Sequence, residues 1–457
     1  MSIETIVPGV YIEEDATPAL SVSQGATAVP LFIGKFAALD PANAGKLIRI
    51  SGWLEFSQLF TVNSTGFSAS VSIKPKTATT GAGTTATAGE VDPDADADDE
   101  SSADKYDISD PKVEENITTL ALQLYFQNGG NPGYVYAIPA TPVAADLTAL
   151  TAAMEEADDI TLLVALDDDP LYRNAVYGGV ASALGQNKGY FLIADSEDGS
   201  APTNVKGLSH VGVYYPPLSL TPGKLNDREV VVTDNTNSSA PVTKTLADLR
   251  QTDAELAANL SSTLTALVPT SLSIPPSALI AGIYCKTDRE RGVWKAPANV
   301  VVNGVADVSV RVSDDKQGPM NEVGVNVIRY FSDRGVVVWG ARTQQNDDNW
   351  RYIPVRRLFD TAERDIKKAM RPVVFEPNSA PTWSRVWSAI DTYLYGIWQR
   401  GGLAGNTAEE AYFVRIGKGI TMTEEDINQG KMIVQVGMAA VRPAEFIILQ
   451  FTQNMSQ

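Results

Sequence analysis

The sequence predicts an α/β protein with a parallel sheet at its centre and more than one domain. Apolar strand patterns alternate with amphipathic helix patterns between residues 113 and 194. Two of the strand patterns, Ile160–Leu166 and Tyr190–Ala194, are apolar at every position except Thr161, which is typical of strands buried on both faces. The length of 457 residues corresponds to roughly two to four domains.

Composition excludes several classes of protein. Hydrophobic residues make up 44% and charged residues 20%, and no apolar run approaches the roughly 18 residues of a membrane helix. The acidic N-terminus, with no basic residue before Lys35, is unlike a signal peptide. One cysteine, Cys285, and one histidine, His210, argue against disulfides, metal clusters and histidine-based catalysis. The net charge of −19 argues against a general nucleic-acid surface, and we expect no cofactor.

The first 60 residues predict a strand on an arm, followed by core elements. The apolar residues of the arm strand are Val7, Val10, Tyr11 and Ile12. Acidic and then small residues follow up to Thr27, which indicates a flexible spacer instead of the first strand of a compact domain. Ala28–Ile33 predicts a buried strand and Trp53–Phe60 a helix.

Residues 61–105 differ in composition from their surroundings. They are rich in Ala, Thr, Gly and Ser and end in an acidic run, so we expect an exposed or disordered insertion. The aspartate spacing also suggests a calcium loop as an alternative. Whether that loop starts at Asp92 or Asp94, it lacks the required glycine and bidentate glutamate, so a solvated acidic loop is favoured.

The next stretch predicts alternating helices and strands. Val113–Gly130 has helical periodicity and Tyr134–Ile138 has strand composition. Asp167–Asp169 follow a strand, where α/β enzymes often place catalytic groups. No phosphate-binding loop or nucleophile motif accompanies them, so a solvated loop is favoured. Leu246–Leu267 predicts one helix and Ala278–Tyr284 another.

The last hundred residues combine a basic helix with two strands. Residues 351–400 contain nine basic and five acidic residues, and Arg364, Lys367, Lys368 and Arg371 form one helical stripe. This stripe is either a solvated face or a contact for an acidic partner. Thr423 and Asp426 can cap a short helix that ends at Gly430. Beyond it, Lys431–Met438 and the apolar Phe446–Phe451 predict strands, and the second lacks a partner within the chain.

Several motifs in a fixed order resemble one family. They are PGVYIEE near the N-terminus, Asp288-Arg289, Gly292-Val293-Trp294, Pro297-Ala298-Asn299, Gly335, Trp339-Gly340-Ala341-Arg342-Thr343, Val355-Arg356-Arg357-Leu358 and Phe375-Glu376-Pro377-Asn378. Together they resemble the sheath proteins of contractile tails: phage tail sheaths, R-type pyocin sheaths and the sheaths of extracellular contractile injection systems. The resemblance covers about residues 1–60 and 278–457. The separate small subunit of type VI secretion sheaths is not needed here.

The resemblance implies a subtilisin-like α/β core, a C-terminal α+β domain, and N- and C-terminal arms exchanged between subunits. The implied divisions are an arm at 1–22, a core at 23–60 and 106–345 with an outward-facing subdomain at about 200–275, the insertion at 61–105, an inner domain at 346–442 and an arm at 443–457. The C-terminal arm would contribute Phe446, Ile447, Ile448, Leu449 and Phe451. The receiving strands would be Tyr412–Ile416, through Tyr412, Val414 and Ile416, and Met432–Val436, through Val434 and Val436.

The implied function is a structural one. The subunit would form a helical stack of hexameric rings around an inner tube protein and contract to drive that tube through a cell envelope. Its partners would be copies of itself, the tube, baseplate and tail-terminator proteins, and sibling sheath proteins, with no nucleic acid and no membrane insertion. It would assemble in the bacterial cytoplasm and leave in a phage tail or injection particle. The basic stripe would contact the tube. Two alternatives stay open: an α/β hydrolase-like enzyme and a non-contractile surface or adhesion protein.

Overall fold

A nine-stranded sheet forms the centre of the computed structural model, which describes residues 20–63, 65–76, 105–185, 188–236 and 240–446. The strands are β1 Pro30–Gly34, β2 Leu47–Ile50, β3 Phe67–Pro75, β4 Tyr106–Glu115, β5 Gly133–Ala137, β6 Leu162–Leu166, β7 Phe191–Asp195, β8 Val211–Tyr215, β9 Leu218–Leu220, β10 Val230–Asp234, β11 Val242–Thr245, β12 Leu272–Ile274, β13 Val300–Val301, β14 Asp307–Val308, β15 Val325–Phe331, β16 Gly335–Val338, β17 Tyr412–Arg415 and β18 Gln435–Met438. The α-helices are α1 Trp53–Leu59, α2 Thr118–Gln127, α3 Ala144–Glu155, α4 Pro170–Leu184, α5 Leu246–Thr252, α6 Ala254–Leu267, α7 Ser277–Arg291, α8 Asp314–Glu322, α9 Ile353–Met370, α10 Ala380–Gln399, α11 Ala408–Ala411 and α12 Glu424–Asn428.

The central sheet confirms the predicted α/β class. Its order is β13-β16-β15-β8-β7-β6-β1-β5-β2, and the six strands from β15 to β5 are parallel. Antiparallel strands lie at both edges. Along β1, Phe32 packs into the core that includes α2 and α7, whereas Leu31 and Ile33 pack into the core that includes α3 and α4. This alternation places helices on both faces of the sheet.

A second sheet corrects the prediction for part of the 61–105 insertion. Residues Phe67–Pro75 form β3 in a four-stranded sheet of order β11-β10-β3-β4. Phe67, Ala69, Val71 and Ile73 are buried and alternate with serines and Lys74. This period of two is a strand signal that the overall polar composition conceals. Residues 77–104 lie outside the described residues, and so do the arm residues Val7, Val10, Tyr11, Ile12, Ile447, Ile448, Leu449 and Phe451.

Two predicted helices also differ in the structure. Val113 lies in strand β4 opposite Ala69, and the helix begins only at Thr118, because pairing with β3 overrides the local helical periodicity. The predicted helix Leu246–Leu267 is divided into α5 and α6 at Asp253. The Asp253 side chain accepts a hydrogen bond from the backbone N–H of Leu256 at 3.0 Å, which caps α6.

Asp167 is buried, so the prediction of a solvated loop is wrong for this residue. It follows β6, and Lys35 follows the neighbouring strand β1, so their side chains meet at 2.8 Å. Burial raises the pKa of Asp167, although the hydrogen bond from Lys35 opposes that change. The pair lies at the carboxyl ends of two central strands, so the Asp167 carboxylate is bound by an internal cation.

The C-terminal part packs helices against a small sheet. Leu358 of α9, Ile390 and Leu394 of α10, and Tyr412 of β17 share one apolar core. Leu20 and Val22, at the start of the described chain, pack against the same core. No helix within the described ranges is both long and apolar enough to cross a bilayer.

Candidate assembly interface

Strands β17 and β18 form a two-stranded antiparallel sheet with Tyr412 opposite Met438 and Arg415 opposite Gln435. Tyr412, Val414 and Val436 turn toward the helical core. Neither outer edge is paired with another strand of the described chain. A two-stranded sheet is marginal by itself, and its unpaired N–H and C=O groups can bind further strands.

The two predicted receiving strands are placed differently by the structure. For the first, the structure has a strand at Tyr412–Arg415, with Ile416 just beyond its end, and its receiving role stays a prediction. The bounds Met432–Val436 are wrong for the second, because β18 begins at Gln435 and leaves Val434 before it. The hydroxyl of Thr421 donates to the carbonyl of Ile433 at 2.7 Å. This hydrogen bond ties the segment before β18 to the preceding turn and not to β17.

The short helix between these strands is confirmed. The Thr423 hydroxyl accepts from the Asp426 backbone N–H at 3.2 Å, and the Asp426 carboxylate accepts from the Thr423 N–H at 3.0 Å. Gly430 follows the helix with φ of 74°, a conformation that glycine adopts without strain. The cap therefore fixes the turn that leads into β18.

The outer face of the two-stranded sheet has an aromatic contact. The Phe413 ring lies over Gly437 of β18, where any β-carbon would collide with it. The Arg415 guanidinium lies 4.7 Å from the centre of the same ring. Phe413 stays 40% exposed, so this face also offers apolar area to a partner.

The base of the N-terminal arm is fastened to the C-terminal helices. The Gly25 N–H donates to Asp365 at 3.1 Å, and the Arg364 guanidinium donates to the carbonyl of Ala26 at 2.8 Å. Arg400 donates to the side chain of Gln24 at 2.6 Å. Burial lowers the pKa of Arg364. These hydrogen bonds fasten residues 24–26 beside α9 and α10.

A buried ion pair extends this attachment into the core. Arg357 and Asp288 are each 3% exposed and form two hydrogen bonds of 2.6 and 3.0 Å. Arg357 also donates to the carbonyl of Thr27 at 3.1 Å, while the Thr27 hydroxyl donates to Asp288 at 2.6 Å. Burial opposes the charged form of Arg357, but the Asp288 carboxylate more than offsets it and raises the pKa of Arg357. The pair joins α7, α9 and the arm base.

The base of the C-terminal arm has its own ionic contact. Glu445 accepts hydrogen bonds from Arg342 at 2.7 and 2.9 Å, from the Asn321 side chain at 2.9 Å and from the Tyr352 hydroxyl at 3.2 Å. Burial alone would raise the pKa of Glu445, but these donors lower it. Phe446, the next residue, is 71% exposed. Glu445 is therefore held against the core, and the side chain that follows it is largely exposed.

The structure separates the four residues of the basic stripe. Arg364 is partly buried against the arm base, and Arg371 forms a 2.7 Å ion pair with Asp158. Lys367 and Lys368 are exposed beside the same cleft. Within the described chain neither lysine has an ion-pair partner. The two lysines are thus the members of the stripe that can bind an external anion.

A serine, a histidine and an aspartate also lie in a row. The Ser209 hydroxyl is 3.1 Å from Nδ1 of His210, and Nε2 of His210 is 3.2 Å from Asp360. Asp360 is also paired with Arg356 at 2.8 Å, so its carboxylate does not serve the imidazole alone. Among the described residues, no cluster of His, Cys, Asp and Glu could hold a metal ion.

Sequence reasoning missed the two anchoring ion pairs, Arg357–Asp288 and Arg342–Glu445. Three of these residues, Asp288, Arg342 and Arg357, lie in the motifs that carry the family resemblance. Their partners are 69 and 103 positions away, and no local periodicity connects residues at such distances. The motifs therefore pointed to these residues, but they did not indicate which residue pairs with which.

Family models and solved structures identify the chain. Residues 224–344 match the phage tail sheath protein central domain, and residues 345–454 match the phage tail sheath C-terminal domain. The helical sheath of the anti-feeding prophage in its contracted state is 50% identical, covers 98% of this chain and 100% of that chain, and has a TM-score of 0.72. The sheath complex of the extracellular contractile injection system PVC, also contracted, is 35% identical over 99% of both chains with a TM-score of 0.66.

Curated relatives match over shorter stretches. The tail sheath protein of Vibrio phage KVP40 is 29% identical over 188 residues, which are 39% of this chain and 26% of that protein. A putative prophage major tail sheath protein of Pseudomonas aeruginosa is 31% identical over 90 residues, which are 19% of this chain and 23% of that protein. The matched stretches therefore span about a quarter of these relatives. The chain belongs to the contractile tail sheath family and is a structural sheath protein.

Proposed function

We propose that the chain polymerises helically, as stacked hexameric rings, around an inner tube and contracts to drive the tube through a target cell envelope. The observation that carries this proposal is the 50% identity with a helical sheath in its contracted state, along nearly the whole of both chains. The energy of contraction would be stored in the packing of the lattice.

The two-stranded sheet would be the receiving site for arms of neighbouring copies. The N-terminal arm strand around Val10–Ile12 and the C-terminal strand Phe446–Phe451 would each add to an open edge of β17 or β18. This is β-augmentation, in which backbone hydrogen bonds supply affinity and alternating side chains set the register. Each added hydrogen bond contributes only about 0.5–1.5 kcal/mol net.

Multivalency would make the lattice strong. Each subunit gives two arms and receives arms from its neighbours, so breaking one attachment does not release it. The contact is heterologous and does not close on itself, so it propagates an open helix. The ion pairs at Arg357 and Glu445 would keep both arm bases on the subunit while neighbouring subunits rotate.

Further partners follow from the same assignment. Similarity to a chain of the anti-feeding prophage baseplate structure, at 50% identity, supports a contact with the baseplate. A tail-terminator protein and sibling sheath proteins would complete the assembly. The subunit would assemble in the bacterial cytoplasm and then leave as part of a phage tail or an extracellular injection particle.

The exposed end of α9 would contact the inner tube. Lys367 and Lys368 are free of ion pairs within the described chain, so they can pair with carboxylates of an acidic tube surface. Exposed ion pairs contribute only about 0.2–1 kcal/mol each and are screened by salt. Such contacts, repeated in every ring, would bind the tube before contraction and release it when the lattice changes.

Co-expression with the tube protein, followed by electron microscopy, tests both the function and this contact. The unaltered chain is expected to give extended sheaths around tubes. The double charge reversal Lys367→Glu and Lys368→Glu should abolish assembly on the tube, because four units of charge change at the interface of every subunit. The matched control, Lys206→Glu with Lys224→Glu, alters exposed lysines elsewhere and should assemble normally. Extended sheaths from the first variant would refute the tube contact, and an unaltered chain that stays monomeric would refute the sheath function.

Hydrolytic activity is the alternative function to consider, because Ser209, His210 and Asp360 lie in hydrogen-bonding sequence. We propose that this row has no catalytic role, since the Asp360 carboxylate is shared with Arg356. Purified protein and its Ser209→Ala variant are expected to show the same background with ester and peptide substrates. A turnover that disappears in Ser209→Ala would establish an enzyme instead.

A further inference from the structure

Phe375 stands out on the described surface, because its side chain is fully exposed, at 102%. Its neighbour Val374 is 61% exposed. Phe375 also has a φ of 74°, a left-handed conformation that disfavours any residue with a bulky side chain. The chain thus places a large apolar ring in water and holds its backbone in an unfavourable state.

The loop that presents this ring is well fastened. The Glu376 N–H donates to the carbonyl of Val373 at 3.1 Å, and the Glu376 carboxylate pairs with Arg385 at 3.2 Å. Asn378 accepts from the Trp383 indole at 2.7 Å and donates to the carbonyl of Lys431 at 2.9 Å. The loop is therefore fixed by hydrogen bonds and an ion pair on the C-terminal side of the exposed ring. Strain and exposure together at one residue indicate a contact with something outside the described chain.

Charge near the ring indicates what covers it. Lys368 and Arg371 are three residues apart at the end of α9, and the 3₁₀ turn Arg371–Val373 leads directly to Val374 and Phe375. The exposed lysines and the apolar ring therefore lie close together along the chain, at the C-terminal end of α9. A complementary partner has an apolar socket bordered by carboxylates.

We propose that Phe375, with Val374, inserts into an apolar socket bordered by carboxylates on the inner tube. The proposal rests on the tube contact assigned to Lys367 and Lys368 and adds an apolar anchor to it. Central aromatic anchors surrounded by charge are typical of tight interfaces. Burial of the ring gives the contact a component that salt does not screen.

Two substitutions at Phe375 distinguish the effect of losing the ring from the effect of relieving the backbone strain. Phe375→Ala removes the ring but keeps a β-carbon at positive φ, whereas Phe375→Gly removes both the ring and the strain. Both are expected to weaken binding to preassembled tubes of the tube protein by at least about tenfold, as loss of an anchor does. Phe375→Gly should also raise the thermal midpoint above that of Phe375→Ala. The matched control Leu171→Ala, which truncates a side chain 79% exposed on α4, should leave tube binding unchanged.

Co-sedimentation with those tubes, at low and high salt, and polymerisation without tubes are the two measurements. The loss from Phe375→Ala should persist at high salt, and tube-free polymerisation should be normal. If Phe375→Ala binds tubes like the unaltered chain, the anchor is refuted while the sheath function stands. If it blocks tube-free polymerisation, the ring contacts another copy of the chain and the proposal is wrong. If the unaltered chain does not bind tubes at all, the proposed tube contact itself fails.

Discussion

Removal of residues 447–457 is expected to give a folded subunit that forms neither tubes nor rings. These residues include most of the apolar strand that would pair with a neighbour, but they exclude Glu445. The ion pair of Glu445 with Arg342 therefore stays intact, and no buried charge is left unpaired. Size-exclusion chromatography with light scattering should show a monomer, and negative-stain images should lack polymer.

A shorter deletion is the matched control for this result. Removal of residues 452–457 leaves Phe446–Phe451 in place and should polymerise normally. Deletion from residue 443 would be a poorer test, because it also removes Glu445 and leaves Arg342, whose side chain is only 11% exposed, without its partner. Tubes formed by the 447–457 deletion would show that the C-terminal arm is dispensable.

Much of the fold could be predicted because it depends on local pattern. Ile160–Leu166 and Tyr190–Ala194 are almost wholly apolar runs. Apart from their terminal residues, they coincide with strands of the parallel sheet at Leu162–Leu166 and Phe191–Asp195. The Thr423 cap was equally local, since its partner is three residues away. Local pattern failed where pairing between strands determines the structure. Val113 lies in strand β4, and not in the predicted helix, because β4 pairs with β3.

The assembly interface was predictable only in outline. A strand at Tyr412 was confirmed, while its receiving role stays a prediction. Strand β18 began later than predicted because the segment before it bonds to Thr421. The basic stripe was treated as one unit, yet Arg364 and Arg371 have partners within the chain. Phe375 was visible only as part of a motif, and neither its exposure nor its positive φ can be read from residue order.

Replacement of Arg357 by methionine is expected to cost about 3–5 kcal/mol of unfolding free energy, the usual penalty when one partner of a buried ion pair is lost. Asp288 would remain 3% exposed on its side chain with Thr27 as its donor. Urea unfolding, combined with hydrogen exchange at residues 20–28 and in α7, should show destabilisation and faster exchange there.

An exposed pair of the same chemistry provides the control for Arg357→Met. Arg250 and Asp227 form a 2.7 Å ion pair with side chains 44% and 30% exposed, so Arg250→Met should cost less than about 1 kcal/mol. Adding Asp288→Asn to Arg357→Met should recover part of the lost stability, because it removes the unpaired charge. Since Arg357 also holds the carbonyl of Thr27, the single variant should loosen the base of the N-terminal arm and impair polymerisation as well. Equal effects from Arg357→Met and Arg250→Met would mean that the buried pair does not anchor the arm.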